Sequence, residues 1–542
     1  MQAPPAGHND RQITDRSFLW LLGVITVAGL LLRVPALGNS LFGDELSSYF
    51  IVTSHSLGRV LHILAGHGVD TNPPLYFALA WLVERLGASV QALRSVSLVA
   101  GTATIPLTYL LGRWTVGRRA GLAGAAVMAC SPFMIFFSTE ARAYALVTLL
   151  ALASTLALLK ALGAGRRGWW VGYAACSCAA VYAHYTAVFV LAAQFGWALL
   201  IYPRARRALI ASNLLVALGF LPWLPAFVRQ ARLPGASAIG FLQPFGLSAI
   251  RLDLGHWAIG HPYLPLSAVP GPIAMAILAG GCALAGLTVI ARRRRQGERA
   301  LPRRASAGPA LVLALALAMP VGLILYSCLG QSLWDERNLA ASWPGLAVAI
   351  GALITSADGL SRWAAVCLVI GGFAIGAIDL LSPDHQRPDY RAAAAFIRRS
   401  GDRGAPIVEA AAFTPGPITE MEAALGVTGQ SPARPDPVLR IGRAPLSVER
   451  HAPPYASLPI PSGAAIARQA TNRAGQGRLF VVTLGTIPAA ALRARRVSGP
   501  VPGVGVTAFL LSLPTDLRLT QAEAFPGFFP VSVYVFSRSP SR

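Results

Sequence analysis

The sequence predicts an α-helical polytopic membrane protein, with about eleven transmembrane helices followed by a small C-terminal extracytoplasmic α/β domain. Three observations predict it. The 542 residues are 54% hydrophobic and only 13% charged, with a mean hydropathy of +0.54, a balance suited to lipid rather than to one large soluble core. Apolar runs of up to bilayer-spanning length recur near 18–37, 91–112, 120–138, 143–162, 168–183, 185–202, 208–228, 268–291, 308–328, 339–356 and 363–381. After Leu381 the texture turns to Pro, Gly and Arg, with no further span.

The first run, Phe18 to Leu37, follows Arg11 and Arg16. It is longer than a signal-peptide core and lacks a small-residue cleavage site, so it reads as an uncleaved anchor. A twelfth apolar stretch, "PPLYFALAWLVERLG" (73–87), reaches only about 22 Å as a helix, against a hydrocarbon core of about 30 Å. The arginines decide how to treat it. If 73–87 does not cross, the clusters Arg113/Arg118/Arg119, Lys160/Arg166/Arg167, Arg204/Arg206/Arg207, Arg292–Arg295 with Arg299/Arg303/Arg304, and Arg362 all share one side with Arg11 and Arg16. Cytoplasmic loops carry this bias. The expected topology is eleven spans with the N-terminus cytoplasmic, 73–87 lying along the outer face, and the C-terminus outside, in a bacterial plasma membrane.

That placement accounts for the net charge of +23 without nucleic acid, because the arginines sit in short loops. It also puts nine acids outside: Asp44, Glu45, Asp70, Glu84, Glu140, Asp253, Asp335, Glu336 and Asp379. Acids have little influence on topology, so a one-sided set points to use, and the outer face is the expected place of the chemistry. The expected division is a membrane domain over 1–382, with a long outer loop at 38–90, and an external domain over 383–542. In the latter, "DYRAAAAFIRRSG" reads as a helix followed by a short strand, and "RLFVVTL" (478–484) and "VSVYVF" (531–536) read as strands. The Pro-rich middle, 414–463, has no clear pattern. All six cysteines lie in apolar runs, which indicates neither a disulfide framework nor a zinc site.

Five short stretches carry the candidate chemistry. "GDELSSYF" opens the first outer loop with Asp44 and Glu45, and "DTNPPLYF" brings Asn72 ahead of a double proline. "STEARAYAL" places Glu140, Arg142 and Tyr144 at the second outer turn, and "HYT" places His184 and Tyr185 at the third. "DERN", before "WPG", places Arg337 ahead of the tenth span. Taken singly, each has an ordinary explanation: a helix cap, a snorkelling arginine, an aromatic-belt anchor, a surface ion pair.

In this order and topology the set resembles the GT-C superfamily of integral-membrane glycosyltransferases, nearest the protein O-mannosyltransferase and aminoarabinose-transferase type. The resemblance covers about residues 15–381. It implies inverting transfer of a sugar from a polyprenyl-phosphate donor to a lipid, glycan or protein acceptor on the outer face. It also implies that Asp44 is the general base, with Glu45 beside it. A carboxylate can take the acceptor hydroxyl's proton as the anomeric carbon is attacked. The leaving lipid phosphate needs cations, and Arg142 and Arg337, helped by Tyr144, are the candidates. Glu140, His184, Tyr185 and Asn72 are supporting candidates. Some members use a divalent metal, but no ligand spacing here assigns one. The sequence departs from the aminoarabinose branch at "TNPP", where that branch has a lysine. The competing class is a transporter or flippase of lipid-linked sugars. It explains the spans, but not why acids avoid the span centres, where transporters commonly keep coupling groups.

Overall fold

The computed structural model describes residues 8–53, 56–65, 70–87, 89–232, 245–296, 306–330, 332–400, 404–411, 418–426, 438–442, 463–495 and 504–538. The stretch 414–463 falls partly outside them. Helix α1 (His8–Arg33) is followed by the loop that carries Asp44. Three short helices, α2 (Glu45–Thr53), α3 (Leu57–Leu64) and α4 (Leu75–Glu84), complete the 38–90 segment. Helix α4 has ten residues, about 15 Å, half of what a bilayer requires.

The bundle continues with α5 (Val90–Thr115), α6 (Arg118–Cys130), α7 (Pro132–Ser138), α8 (Tyr144–Ala164), α9 (Arg167–Ala183), α10 (Ala187–Ile201), α11 (Arg206–Phe220) and α12 (Leu224–Ala231). Then come α13 (Leu247–Ile259), α14 (Gly271–Gln296), α15 (Ala307–Leu329), α16 (Trp343–Thr355) and α17 (Gly359–Asp379). All eleven apolar runs form helices. Among the described residues, eight helices are long and apolar enough to cross a membrane, or nine with the bent pair α6–α7. Helices α9 and α10, at 17 and 15 residues, supply the other two runs.

The 120–138 run differs from the single straight span its composition predicts. It breaks by 63° between α6 and α7. The cause is local: Pro132 has no N–H to continue the ladder, and Ser131 caps the new helix by accepting from the Met134 N–H. The break carries the 139–142 turn under the Asp44 loop. Where helices cross, small residues let backbones touch. A Cβ on Gly351 of α16 would meet the Ala120 carbonyl oxygen of α6 at 2.4 Å, the close packing by which helices associate in lipid.

Beyond the bundle lie α18 (Tyr390–Arg399), β1 (Ile407–Ala411), α19 (Glu420–Ala424), β2 (Val438–Gly442), α20 (Gly463–Ala474), β3 (Leu479–Leu484), α21 (Ala489–Arg493), α22 (Val504–Leu511), β4 (Leu517–Phe525) and β5 (Val531–Arg538). They form a five-stranded sheet in the order β2-β1-β3-β5-β4. Strands β2, β1 and β3 are parallel, and β5 runs antiparallel between β3 and β4. All six residues of β3 are buried, as a central strand covered on both faces requires. One face packs Val481 and Tyr534 against Ile466 of α20 and Phe509 of α22. The other packs Phe480, Val482 and Val533 against Tyr390 and Ile397 of α18, and reaches Phe42 of the first loop.

Candidate active site

The loop 39–44 turns through Gly43, whose φ of +58° suits glycine, and ends with Asp44 directly ahead of α2. The two neighbouring acids then part company. The Asp44 side chain is 34% exposed. Its Oδ2 lies 2.5 Å from Arg337 Nη1 and 4.0 Å from Arg142 Nη2. Burial pushes the Asp44 carboxyl up, but the Arg337 and Arg142 charges outweigh it and hold its pKa below the usual carboxylate range. Asp44 is therefore ionised at neutral pH.

Glu45 points into the protein and is fully buried. Arg94, in the second turn of α5, grips it with two bonds, Nε to Oε1 at 2.8 Å and Nη2 to Oε2 at 2.6 Å. Arg94 also donates to the carbonyls of Ala36, Leu37, Asn39 and Ser40, so it gathers the whole turn. Arg387 reaches Glu45 Oε2 at 3.4 Å, and the Ala141 N–H donates to Oε1 at 2.7 Å. Burial pushes the Glu45 carboxyl up, but Arg94 and Arg387 together hold it below its ordinary value. This carboxylate has no free face for a substrate.

Each arginine beside Asp44 is held by a second acid. Arg142 pairs with Asp70, and donates to Ser48 Oγ at 3.3 Å. Asp70 is in turn fixed by Asn72, whose backbone N–H and side-chain amide both donate to Oδ1, at 3.0 and 2.7 Å. Arg337 pairs through Nε with Asp335 Oδ2 at 2.9 Å. Tyr144 opens α8 with its ring 5.5 Å from that of His184. His184 is pushed down to about 3 by burial and by the Arg142 and Arg337 charges, so it is neutral. Its Nδ1 lies 2.7 Å from Thr186 Oγ1. Glu140 is buried, and its Oε2 has no hydrogen-bond partner among the described residues. Burial, with repulsion from Glu45 and Asp44, pushes it up to about 8 against the pull of Arg387 and Arg142. It holds its proton at neutral pH.

The structure thus gathers Asp44, Arg142, Tyr144, His184, Arg337, Glu140 and, through Asp70, Asn72. Tyr185 turns elsewhere: its hydroxyl donates to Gln230 Oε1 at 2.5 Å and accepts from Trp223 Nε1 at 2.9 Å. The sequence reasoning passed over Asp70, Arg94, Asp335 and Arg387 as site residues. Arg94 had a usable signal, because it is a lone charge at the start of an apolar run. A second grouping was also missed. Asp253, His256 and Glu336 are buried with ligating atoms within 4.8 Å of one another. His256 Nδ1 lies 2.8 Å from Glu336 Oε2, and Trp334 Nε1 donates to Asp253 Oδ2 at 2.7 Å. Two carboxylates and an imidazole suit a divalent transition metal, and these are the residues that could hold one.

The dolichyl-phosphate-mannose-protein mannosyltransferase family matches residues 71–228, under a third of the chain. Among solved structures, apo ArnT from Cupriavidus metallidurans superposes with a TM-score of 0.52 at 12% identity, over 96% of this chain and 98% of ArnT. The chain has the GT-C fold of integral-membrane glycosyltransferases. ArnT bound to undecaprenyl phosphate gives a TM-score of 0.43 at 12% identity over the same shares. The apo oligosaccharyltransferase of Archaeoglobus fulgidus gives 0.49 at 12% identity, over 88% of this chain and 70% of that one. No curated protein matches significantly.

Proposed function

We propose that this GT-C chain is an inverting glycosyltransferase of a bacterial plasma membrane. It takes a sugar from a polyprenyl-phosphate donor and passes it to an acceptor on the outer face. The observation that carries the reading is Asp44. It is an ionised, partly exposed carboxylate held between two arginines, each of which has a second acid behind it. A base for the acceptor hydroxyl and cations for the leaving phosphate lie within 4.0 Å of each other. The arginines hold Asp44 low and make it a weak base in this state. A lipid phosphate drawing them toward itself would raise the basicity of Asp44 as the donor binds. Glu140, protonated nearby, is able to donate a hydrogen bond to the donor sugar or phosphate.

An apolar groove of about 500 Å³ between α10 and α15, lined by Phe189, Ala193, Leu317, Val321, Leu325 and Leu329, suits the lipid tail. Phe189 lies just inside the start of α10, which follows His184, and Leu329 closes α15 ahead of Arg337. ArnT is a protein known with undecaprenyl phosphate bound, and a carrier of that class fits both groove and arginines.

The test is binding of undecaprenyl phosphate to the full chain. Arg337→Ala should weaken it by about 2–5 kcal/mol, the usual cost of truncating one partner of a desolvated charge pair. Arg362→Ala, at the opposite end of the bundle, should leave it unchanged. Equal affinities in the two variants would rule out the phosphate assignment. Lipid analysis of a deletion strain should show an accumulated polyprenyl-phosphate sugar, and so identify the sugar.

A further inference from the structure

We infer that the C-terminal domain is a working part of the active site: the tip of its last hairpin, with the Gln386–Arg391 segment, holds the Asp44 loop in its reactive position. The loop cannot set its own shape. Between the bundle and α2, its internal backbone bonds are those of two short turns, Asn39 N–H to Ala36 and Glu45 N–H to Phe42, both 3.3 Å, with Leu46 N–H to Gly43 at 3.1 Å. Arg94 fixes the loop from the bundle side. Arg142, Arg337 and Ala141 of the bundle meet its two acids, and Tyr263 meets Phe42. Much of the remaining support comes from beyond the last span.

Three contacts are polar. Asn39 Nδ2 donates to Gln386 Oε1 at 2.6 Å, the Arg391 N–H donates to Ser40 Oγ at 3.0 Å, and Arg391 Nη1 donates to the Gly38 carbonyl at 2.5 Å. Arg387 adds its ion pair with Glu45, and its guanidinium lies 4.4 Å over the Phe136 ring. The apolar contact centres on Phe42, two residues before Asp44 and 5% exposed. Its ring meets Phe528 edge-on at 5.3 Å, Tyr263 edge-on at 5.8 Å and Phe529 at 6.5 Å. Phe528 in turn stacks on Tyr263, 5.1 Å away and 4° from parallel. On the other flank, Ile418 packs with Leu41, Leu46 and Ala141.

The clasp is itself braced. Phe528 N–H donates to the Gln386 carbonyl at 2.8 Å, and Asp389 N–H to the Pro526 carbonyl at 3.2 Å. Gly527 sits so close that a Cβ would meet Pro388 Cα at 2.7 Å. Hairpin tip and linker therefore grip the loop as one piece. A domain that merely hung from the last span would have no reason to bury a side chain of the Asp44 loop. Because misplacing a catalytic group by about 1 Å can cost about 10²-fold in rate, loosening Phe42 should reach the chemistry through Asp44. Phe528, Arg387 and Phe42 are then positioning residues.

The experiment uses the full chain. Hydrogen exchange over residues 39–46 reads the loop, undecaprenyl phosphate binding reads the resting site, and restored transfer in a deletion strain reads turnover. Phe528→Ala should speed loop exchange by about tenfold or more and cut transfer about 10–100-fold, with phosphate binding within about twofold. Phe528→Tyr should restore both. Phe509→Ala, on the far face of the sheet, should loosen the domain core yet leave loop exchange and transfer near wild type. Unchanged loop exchange in Phe528→Ala, faster exchange with undiminished transfer, or equal loop opening in Phe509→Ala would each overturn the inference. The transfer arm rests on the glycosyltransferase reading. The exchange arm does not, so a failed enzyme assignment still leaves the clasp decided.

Discussion

Asp44 and Glu45 are consecutive carboxylates, each facing two arginines, and they are put to opposite uses. Around Asp44 the pairs are open: 34% of its side chain and 23% of that of Arg337 reach solvent. Around Glu45 both it and Arg94 are wholly enclosed. The Arg94 pair is also saturated, with Arg94 donating to four carbonyls besides the carboxylate. Exposure, not composition, separates a group that can meet a substrate from one that can only hold the fold. The one-residue step at the start of α2, about 100° around a helix, turns one acid to the site and the other to the core.

The largest effect is expected at Asp44. Asp44→Asn keeps the size and most of the hydrogen bonding but cannot accept the proton. Transfer should fall about 10²–10⁴-fold while undecaprenyl phosphate still binds. Asn caps a helix as well as Asp does, so melting should move little. Near-wild-type transfer would remove Asp44 from the chemistry.

Glu45→Gln should reverse the pattern. It leaves Arg94 and Arg387 buried without their counter-charge, and breaking a buried pair costs about 3–5 kcal/mol. The loss should appear in denaturation or thermal melting of the purified chain. Whatever protein folds should transfer far better than Asp44→Asn. A stable but inactive Glu45→Gln would place both acids in the chemistry.

Glu140 differs from both in its response to pH. Its folded-state pKa is raised to about 8 from an ordinary 4.5, so the folded chain keeps a proton that the unfolded chain has released. Stability from this group therefore falls as pH rises from about 4.5 to about 8, by at most about 1.4 kcal/mol per pH unit, and is level outside that window. Glu140→Gln should remove the slope and melt higher than wild type at pH 8. If wild type and variant run parallel from pH 5 to 8, Glu140 does not carry the proton.

The sequence made the Asp44 side of this comparison legible because its residues lie in short, ordered motifs at helix ends: "GDE", "STEARAY", "DERN". The eleven helical runs and the strands β1, β3 and β5 were legible from hydropathy and alternation. The Glu45 side was not. Its partners, Arg94 and Arg387, are 49 and 342 positions away, and only packing brings a linker arginine under the first loop. The Asp253–His256–Glu336 group was hidden for the same reason, because 80 residues separate its last two members. The bend at Ser131-Pro132 was written in the sequence, but an unbroken apolar run concealed it. Strand β4 is exposed along most of its length, so it lacked the buried alternation that marks a strand.

The smallest effect is expected at Tyr185, which stands one residue from His184 yet belongs to neither carboxylate. Its hydroxyl links α12 to the third turn by accepting from Trp223 and donating to Gln230. Gln230 carries the link on by donating to the Leu64 carbonyl at 2.6 Å. Tyr185→Phe removes only the oxygen, leaving the Trp223 N–H and one side of Gln230 unpaired. Each hydrogen bond lost costs about 0.5–1.5 kcal/mol, and part-burial of the group lets water recover some of it. Melting should therefore drop slightly, while transfer and undecaprenyl phosphate binding stay within about twofold of wild type. His184, its neighbour, packs on Tyr144 and feels both arginines. His184→Ala should consequently cost more transfer than Tyr185→Phe. If Tyr185→Phe were the more damaging of the two, the boundary of the site would have to move outward to include the α12 contact, and the division between reactive and structural groups drawn from exposure would fail there.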